Sequence, residues 1–495
     1  MIRGKLIELL KEFSEEEFRK FGLYVHSPFF NRETVQNKFY IILKKYYPLF
    51  NGRDFNKEKV FKKLYPAKKY SDGVMRNILS NMLTLAENFL AVNKFMQNQV
   101  ELNITLLGRL TDKKQFLLFR KAEKLLDKLL DRTESKDYDY YYNKFRLELK
   151  KYNNNKKQKS SLVSPEGILA KAADYQATAY ITGLLTTDMH ISNTNRSMFS
   201  YNFNPDLIKR IADYIESDKD KLTAVPYINY LYNTHKLVST GEEKYFYALK
   251  NIFHHKYTSL GENDKRNLFS LLGNYCYVKT NTGELKFVNE QFVIIKTSIE
   301  HGYYKIGEGF ISHLMFMNTV ITGLEAGETG WVKNFIEKYK IELDHINREN
   351  TYIFCKALIY YWEKDYNKAL DYAAKIKTGD TSYKHQIKSL YLKIYFDLPD
   401  TESFYLHIDS YKHFISADSN ISKQVNTALG NYINYAKKIF DLKMKPNTED
   451  ADIELLKREI IKNKAMVNKP WLLRKIEELF KSPDQYSRKA VIPSG

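Results

Sequence analysis

A two-helix unit that returns every 35 residues or so limits what this chain can fold into more than any other feature. The clearest copy is ALIYYWEKDYNKALDYAAKI, residues 357–376. Ala357 and Tyr360 sit on a first amphipathic stretch, and Lys364-Asp365-Tyr366 makes a polar turn. Ala369, Ala373 and Ile376 follow on a second stretch, 12, 16 and 19 residues after Ala357. Looser copies of the turn lie at Gly327–Val332, about 37 residues earlier, and at Pro399–Phe404, about 35 later. Stacked helical hairpins need a period of that size, because one hairpin alone cannot bury its apolar face. Farther upstream, STGEEKYFYALKNIF (239–253) and NTGELKFVNEQF (281–292) also read as helix, Gly-centred turn, helix, but lack the small residues.

The 357–376 unit resembles the tetratricopeptide repeat, in which small residues let two helices approach closely and a turn aromatic packs between them. The resemblance is specific over residues 310–415 and extends in degenerate form over 161–440. It implies an α-solenoid of tetratricopeptide-like hairpins and a non-catalytic groove that holds a partner protein. Polar and aromatic residues on first helices are then the candidate groove positions, here Asn318, Tyr352 and Lys356. The arrangement as a whole is similar to bacterial helical proteins of unknown function, and that similarity transfers no activity.

Composition agrees with packed helices. At 495 residues the chain outgrows one hydrophobic core, so several domains or an elongated array are expected. It is rich in Tyr (39) and Phe (30) and sparing with Gly (20) and Pro (11), which favours aromatic-faced helices over β-structure. Cys276 and Cys355 are too few for a disulfide framework, and both fall in apolar helical patterns, so buried reduced thiols are expected. The start, MIRGKLIELLKEF, has no apolar run with a cleavage site, which predicts a cytoplasmic protein. The most apolar stretch, Phe310 to Leu324, is interrupted by Ser312, His313, Asn318 and Thr319. It falls short of the roughly 18 apolar residues a membrane span needs, so no membrane insertion is expected.

Ahead of the repeats, residues 1–97 read as a compact helical module. Leu6, Leu9, Leu10 and Phe13 share one helix face, and Ser14 with Glu17 has capping-box spacing. In SPFFN (27–31) the two Phe are expected to plug a small core while Asn31 caps the next helix. Residues 98–160 form a helical connection whose Tyr138, Tyr141, Tyr142, Phe145, Leu149 and Tyr152 repeat at core spacing, and 153–167 reads as a loop. After the repeats, 441–481 read as capping helices and 482–495 as a disordered tail. The fold class is therefore all-α: an N-terminal module, then a solenoid.

Charge divides the chain. Residues 1–160 hold 34 Lys and Arg against 19 Asp and Glu, whereas 161–450 hold 34 against 34. A basic N-terminal third gives an alternative reading, a nucleic-acid-associated protein. Its candidate patch is Lys62, Lys63, Lys68, Lys69, Arg76, Lys156, Lys157 and Lys159. The helix, turn and helix of 57–90 have the outline of a helix-turn-helix, but Ser71, Asp72, Arg76 and Asn77 are its only polar residues near the second helix start.

No chemistry-bearing motif is present. Gly307-Glu308-Gly309 lacks the third glycine and preceding strand of a nucleotide loop, and no HExxH occurs. His254 and His255 are adjacent and diverge on a helix, and His407 and His413 do not share a face. No catalytic residue, metal or cofactor is assigned, and the main expectation is a protein-binding scaffold.

Overall fold

The computed structural model describes residues 2–158, 165–195, 206–255, 260–304, 309–377, 381–398, 400–417, 423–445 and 449–480. Among these residues the chain is all-α: 24 α-helices, a short 3-10 turn at Lys340–Glu342, and one isolated bridge between Ile311 and Leu343. Two compact units divide it, residues 1–133 with 138–180, and residues 134–137 with 181–495.

The first unit contains α1 (Lys5–Lys11), α2 (Glu15–His26), α3 (Thr34–Lys44), α4 (Lys57–Leu64), α5 (Asp72–Gln97), α6 (Gln99–Asp112), α7 (Phe116–Asp131) and α8 (Tyr138–Gln158). It also takes the start of α9 (Pro165–Asn195), up to Tyr180. The capping box at α2 is complete: Ser14 Oγ accepts from the Glu17 amide at 3.2 Å, and the Ser14 amide donates to Glu17 Oε2 at 2.9 Å. Leu10, Phe21, Phe39, Phe55, Val60 and Met75 lie in one core drawn from Ile2 to Phe89. Gly22 is required there, since a Cβ would run into the Tyr40 hydroxyl and come within 2.5–2.6 Å of its ring carbons.

Three expectations for this unit change. Phe29 is 85% exposed and Phe30 40%, so the SPFFN rings do not plug the core. Phe30 instead stacks on Tyr24 at 4.2 Å. Asn31 is the buried residue of that turn: its amide donates to the Val25 carbonyl at 2.8 Å, and its Oδ1 accepts from the Glu33 N–H at 2.9 Å. It braces the turn ahead of Glu33, which holds the N-cap position of α3. On α8 the buried face is Tyr140, Tyr141, Lys144, Leu147 and Glu148, while Tyr138 and Tyr142 are each 41% exposed. The helix turns this face inward because Lys144 Nζ bridges Asp127 and Asp131 at 2.7 and 2.8 Å. It also runs through 153–158, and α9 starts at Pro165, so nine of the fifteen residues expected to be loop are helical; Lys159 and the rest of the run to 164 lie outside the described residues.

The second unit continues α9 and adds α10 (Asp206–Ser217), α11 (Lys219–Thr223), α12 (Pro226–Thr240), α13 (Glu243–His255), α14 (Glu262–Asn281), α15 (Lys286–His301), α16 (His313–Glu325) and α17 (Thr329–Tyr339). Then follow α18 (Arg348–Trp362), α19 (Tyr366–Ala374), α20 (Thr381–Asp397), α21 (Thr401–Ala417), α22 (Lys423–Met444), α23 (Asp450–Lys462) and α24 (Lys469–Phe480). From α11 to α24 each helix packs on its sequence neighbours, and α16, α18 and α20 also pack in series. Short turns joining such neighbours run the paired helices antiparallel.

The pairing follows the small residues. Ala357, Ala369 and Ala373 are buried where α18 meets α19, and Lys364 takes the left-handed conformation in the turn, at φ 64°. In the preceding pair Gly323 serves the same end, because a Cβ there would lie 2.5 Å from Val332 Cγ2 on α17. Cys276 and Cys355 are both free and buried. Residues 482–495, expected to be disordered, lie outside the described residues, as do Pro399 and Gly307-Glu308.

Candidate functional site

The five pairs from α14–α15 to α22–α23 share one feature: the C-terminal helix touches the first helix of each. Helix α24 begins after Asn468, which sits at φ 51°, and carries Pro470 in its first turn, where a missing N–H costs nothing. Trp471, Leu472, Leu473 and Ile476 are buried, spread over more than half of the helix circumference. A helix apolar over so wide an arc is surrounded by protein rather than laid on a surface.

Each contact has a named partner. Helix α24 packs on α14 and on α22. Trp471 Nε1 donates to Tyr361 Oη of α18 at 2.9 Å, and Tyr361 Oη donates to Asp397 Oδ2 of α20 at 2.8 Å. Lys475 Nζ closes the chain on Asp397 Oδ1 at 2.7 Å. Both ends of that ion pair are 11% exposed, so removing either partner would leave a largely buried charge uncompensated. Arg474 lies 3.8 Å from Glu325 at the end of α16, and its guanidinium sits 4.4 Å over the Trp362 ring. Lys393 of α20 donates to Asn468 Oδ1 at 2.9 Å, and Asn468 Nδ2 donates to Ser389 Oγ at 3.1 Å. Phe396 and Tyr432 meet the Trp471 ring edge-on at 5.1 and 6.0 Å.

Burial sets the charge states. It pushes the Tyr361 phenol well above its usual range, with Asp397 adding to the rise, so Tyr361 stays a hydrogen-bond donor. Burial also brings Lys393 down to about 8, Glu325 opposing and Arg474 assisting. The Glu325 carboxyl is raised by burial against the pull of Arg474 and Lys393. This arrangement holds a helix by shape, hydrogen bonds and ion pairs. Among the described residues no group of three or more His, Cys, Asp or Glu is placed to hold a metal ion.

The groove positions expected from sequence fall on two surfaces. Asn318 is exposed on α16, seven residues before Glu325 and so on the same helix face. Tyr352 and Lys356 come together on the opposite side of α18 from Tyr361. There Tyr352 Oη donates to Glu337 Oε1 at 2.7 Å and Lys356 Nζ reaches the same oxygen at 3.0 Å. Lys340, Tyr352 and Lys356 together hold the Glu337 carboxyl down at about 2. Tyr361, Asp397, Lys393, Trp471 and Lys475 were missed. The available signal was Trp471 followed by Arg474 and Lys475 at i+3 and i+4, one helix stripe on an otherwise apolar segment.

The expected basic patch is divided as well. Lys62 and Lys63 end α4, Lys68 and Lys69 lie in the following turn, and Arg76 is on α5, whereas Lys156 and Lys157 end α8. Helix α4 packs on α3 and α5, and α8 on α6 and α7. Arg76 is paired with Asp72 at 2.9 Å, Lys157 with Asp112 at 2.9 Å, and Lys68 sits 4.9 Å over Tyr65. Among the described residues no helix is long and apolar enough to cross a membrane. Comparison with protein-family models, curated proteins and solved structures returned no match.

Proposed function

We propose that this chain is a non-catalytic protein-interaction scaffold: an α-solenoid of tetratricopeptide-like hairpins whose first helices line a groove that holds a helix. One observation carries the reading. Helix α24 lies against the first helix of five successive pairs and is held by burial, an indole and a phenol hydrogen bond, and a buried ion pair. That is the helix-in-groove mode of recognition, met here within one chain. The paired Ala357, Ala369 and Ala373 and the turns at Gly241, Gly283, Gly327 and Lys364 support the repeat assignment.

The test is affinity capture from native lysate with the full chain, with and without nuclease, at two salt concentrations. A partner protein retained after nuclease treatment and at the higher salt is the expected result. Recovery confined to untreated lysate and lost steeply with salt would replace this reading by nucleic-acid association through the basic third, since each neutralised phosphate releases counterions.

A further inference from the structure

Helix α7 sorts its side chains around its axis by kind. Phe119, Ala122, Leu126 and Leu130 are buried, and the helix packs on α6 and α8. A second stripe is acidic and turned toward α8: Asp127 and Asp131 share Lys144, and Glu123 lies 3.6 Å from Lys151. The rest faces water. Leu117 is 82% exposed, Leu118 53% and Leu125 51%, and Lys121, Lys124 and Lys128 are exposed among them. At helical spacing positions 117, 121, 124 and 128 fall within about 60° of one another, with 118 and 125 beside them. Asp127 and Asp131, three residues beyond Lys124 and Lys128, are both held by Lys144, and none of the three lysines has an ion pair among the described residues.

Three classes of surface could cover such a stripe, and the mixture of side chains separates them. Against nucleic acid the lysines would meet phosphates, but three leucines would gain nothing. At the centre of a protein interface leucines are suited and lysines are not, because each ammonium there must lose its water; Lys is accordingly depleted from interfaces. Here the lysines stand between the leucines. At the surface of an anionic bilayer both fit: leucine tips pass below the headgroups, while lysine stems lie along them and carry the ammonium to lipid phosphates. The excess of 34 basic over 19 acidic residues in positions 1–160 supplies attraction from a distance.

We propose that the exposed face of α7 docks this protein on anionic lipid bilayers, as a peripheral contact that does not span them. The proposal is independent of the scaffold reading. It is tested by sedimenting the full chain with phosphatidylcholine vesicles, with and without phosphatidylglycerol. Partition onto the anionic vesicles should exceed that onto neutral ones by at least about a hundredfold, three lysines each contributing roughly fivefold. Leu117→Ser, Leu118→Ser and Leu125→Ser together leave the charge unchanged and should lower partition by about tenfold or more.

A folded triple variant that binds anionic vesicles as well as the native chain overturns the proposal, as does a native chain that ignores anionic vesicles and binds an acidic protein or nucleic acid instead. Should the triple variant not fold, a polarity-sensitive dye on Leu118→Cys gives the answer. Burial raises the thiol of Cys276 to about 12 and that of Cys355 higher still, so the dye goes to position 118. Its emission shifts to the blue on anionic vesicles if the face inserts, and an unshifted spectrum sinks the idea.

Discussion

Trp471→Ala should lower the stability of the C-terminal unit by about 4 kcal/mol, the range for removing a fully buried large aromatic side chain. The indole is 1% exposed and fills the space between Phe396, Tyr432 and the Lys393 stem. Its loss leaves a cavity between α18, α20, α22 and α24 and removes the donor to Tyr361 Oη, which also anchors Asp397. Trp471→Phe keeps most of the volume and gives up the hydrogen bond, so it should cost only about 1–2 kcal/mol. Urea unfolding followed by the fluorescence of Trp331 and Trp362, both in the same unit, measures the two variants. A loss below about 1 kcal/mol for the alanine variant would mean that α24 is not packed as described.

Acid should weaken the same unit through His407. Burial holds this imidazole down at about 4, and its Nε2 lies 2.8 Å from the Lys388 carbonyl, to which it donates. Because the unfolded state takes up the proton near pH 6.5, stability is lost as pH falls from about 6.5 to about 4, by up to roughly 3 kcal/mol, and is unaffected by this group above pH 7. His407→Gln can keep the donor without the titration. The difference in urea midpoint between pH 7 and pH 4.5 should therefore be smaller in the variant than in the native chain. Equal differences would show that His407 is protonated in the folded unit.

These effects concentrate where sequence reasoning was weakest. Local signals placed the turns well: Gly241, Gly283 and Gly327 lie at left-handed positions between the helices expected around them, and the Ser14–Glu17 capping box formed as its spacing implied. Where a helix docks is a non-local matter. Trp471 and Tyr361 are 110 residues apart, and Lys393 and Asn468 are 75 apart, so no window of sequence contains both partners. Tyr352 and Lys356 looked like free groove residues because their carboxylate partner, Glu337, lies on the preceding helix. The α8 tyrosines misled for a related reason. A buried Lys144 satisfied by two aspartates from α7 set which face turned inward, and periodicity alone counts lysine as surface.

The measurement that bears most directly on the scaffold reading is whether the groove takes a helix in trans. A labelled peptide covering residues 466–480 would be titrated against the native full chain and against the chain carrying Lys475→Glu, which sets a carboxylate opposite Asp397 and loosens the resident helix. The expected result is saturable binding to the variant, at least about tenfold tighter than to the native chain, where α24 already occupies the place. Absence of binding to a folded variant, or equal affinity for both chains, would contradict it and leave α24 as a fixed part of the core.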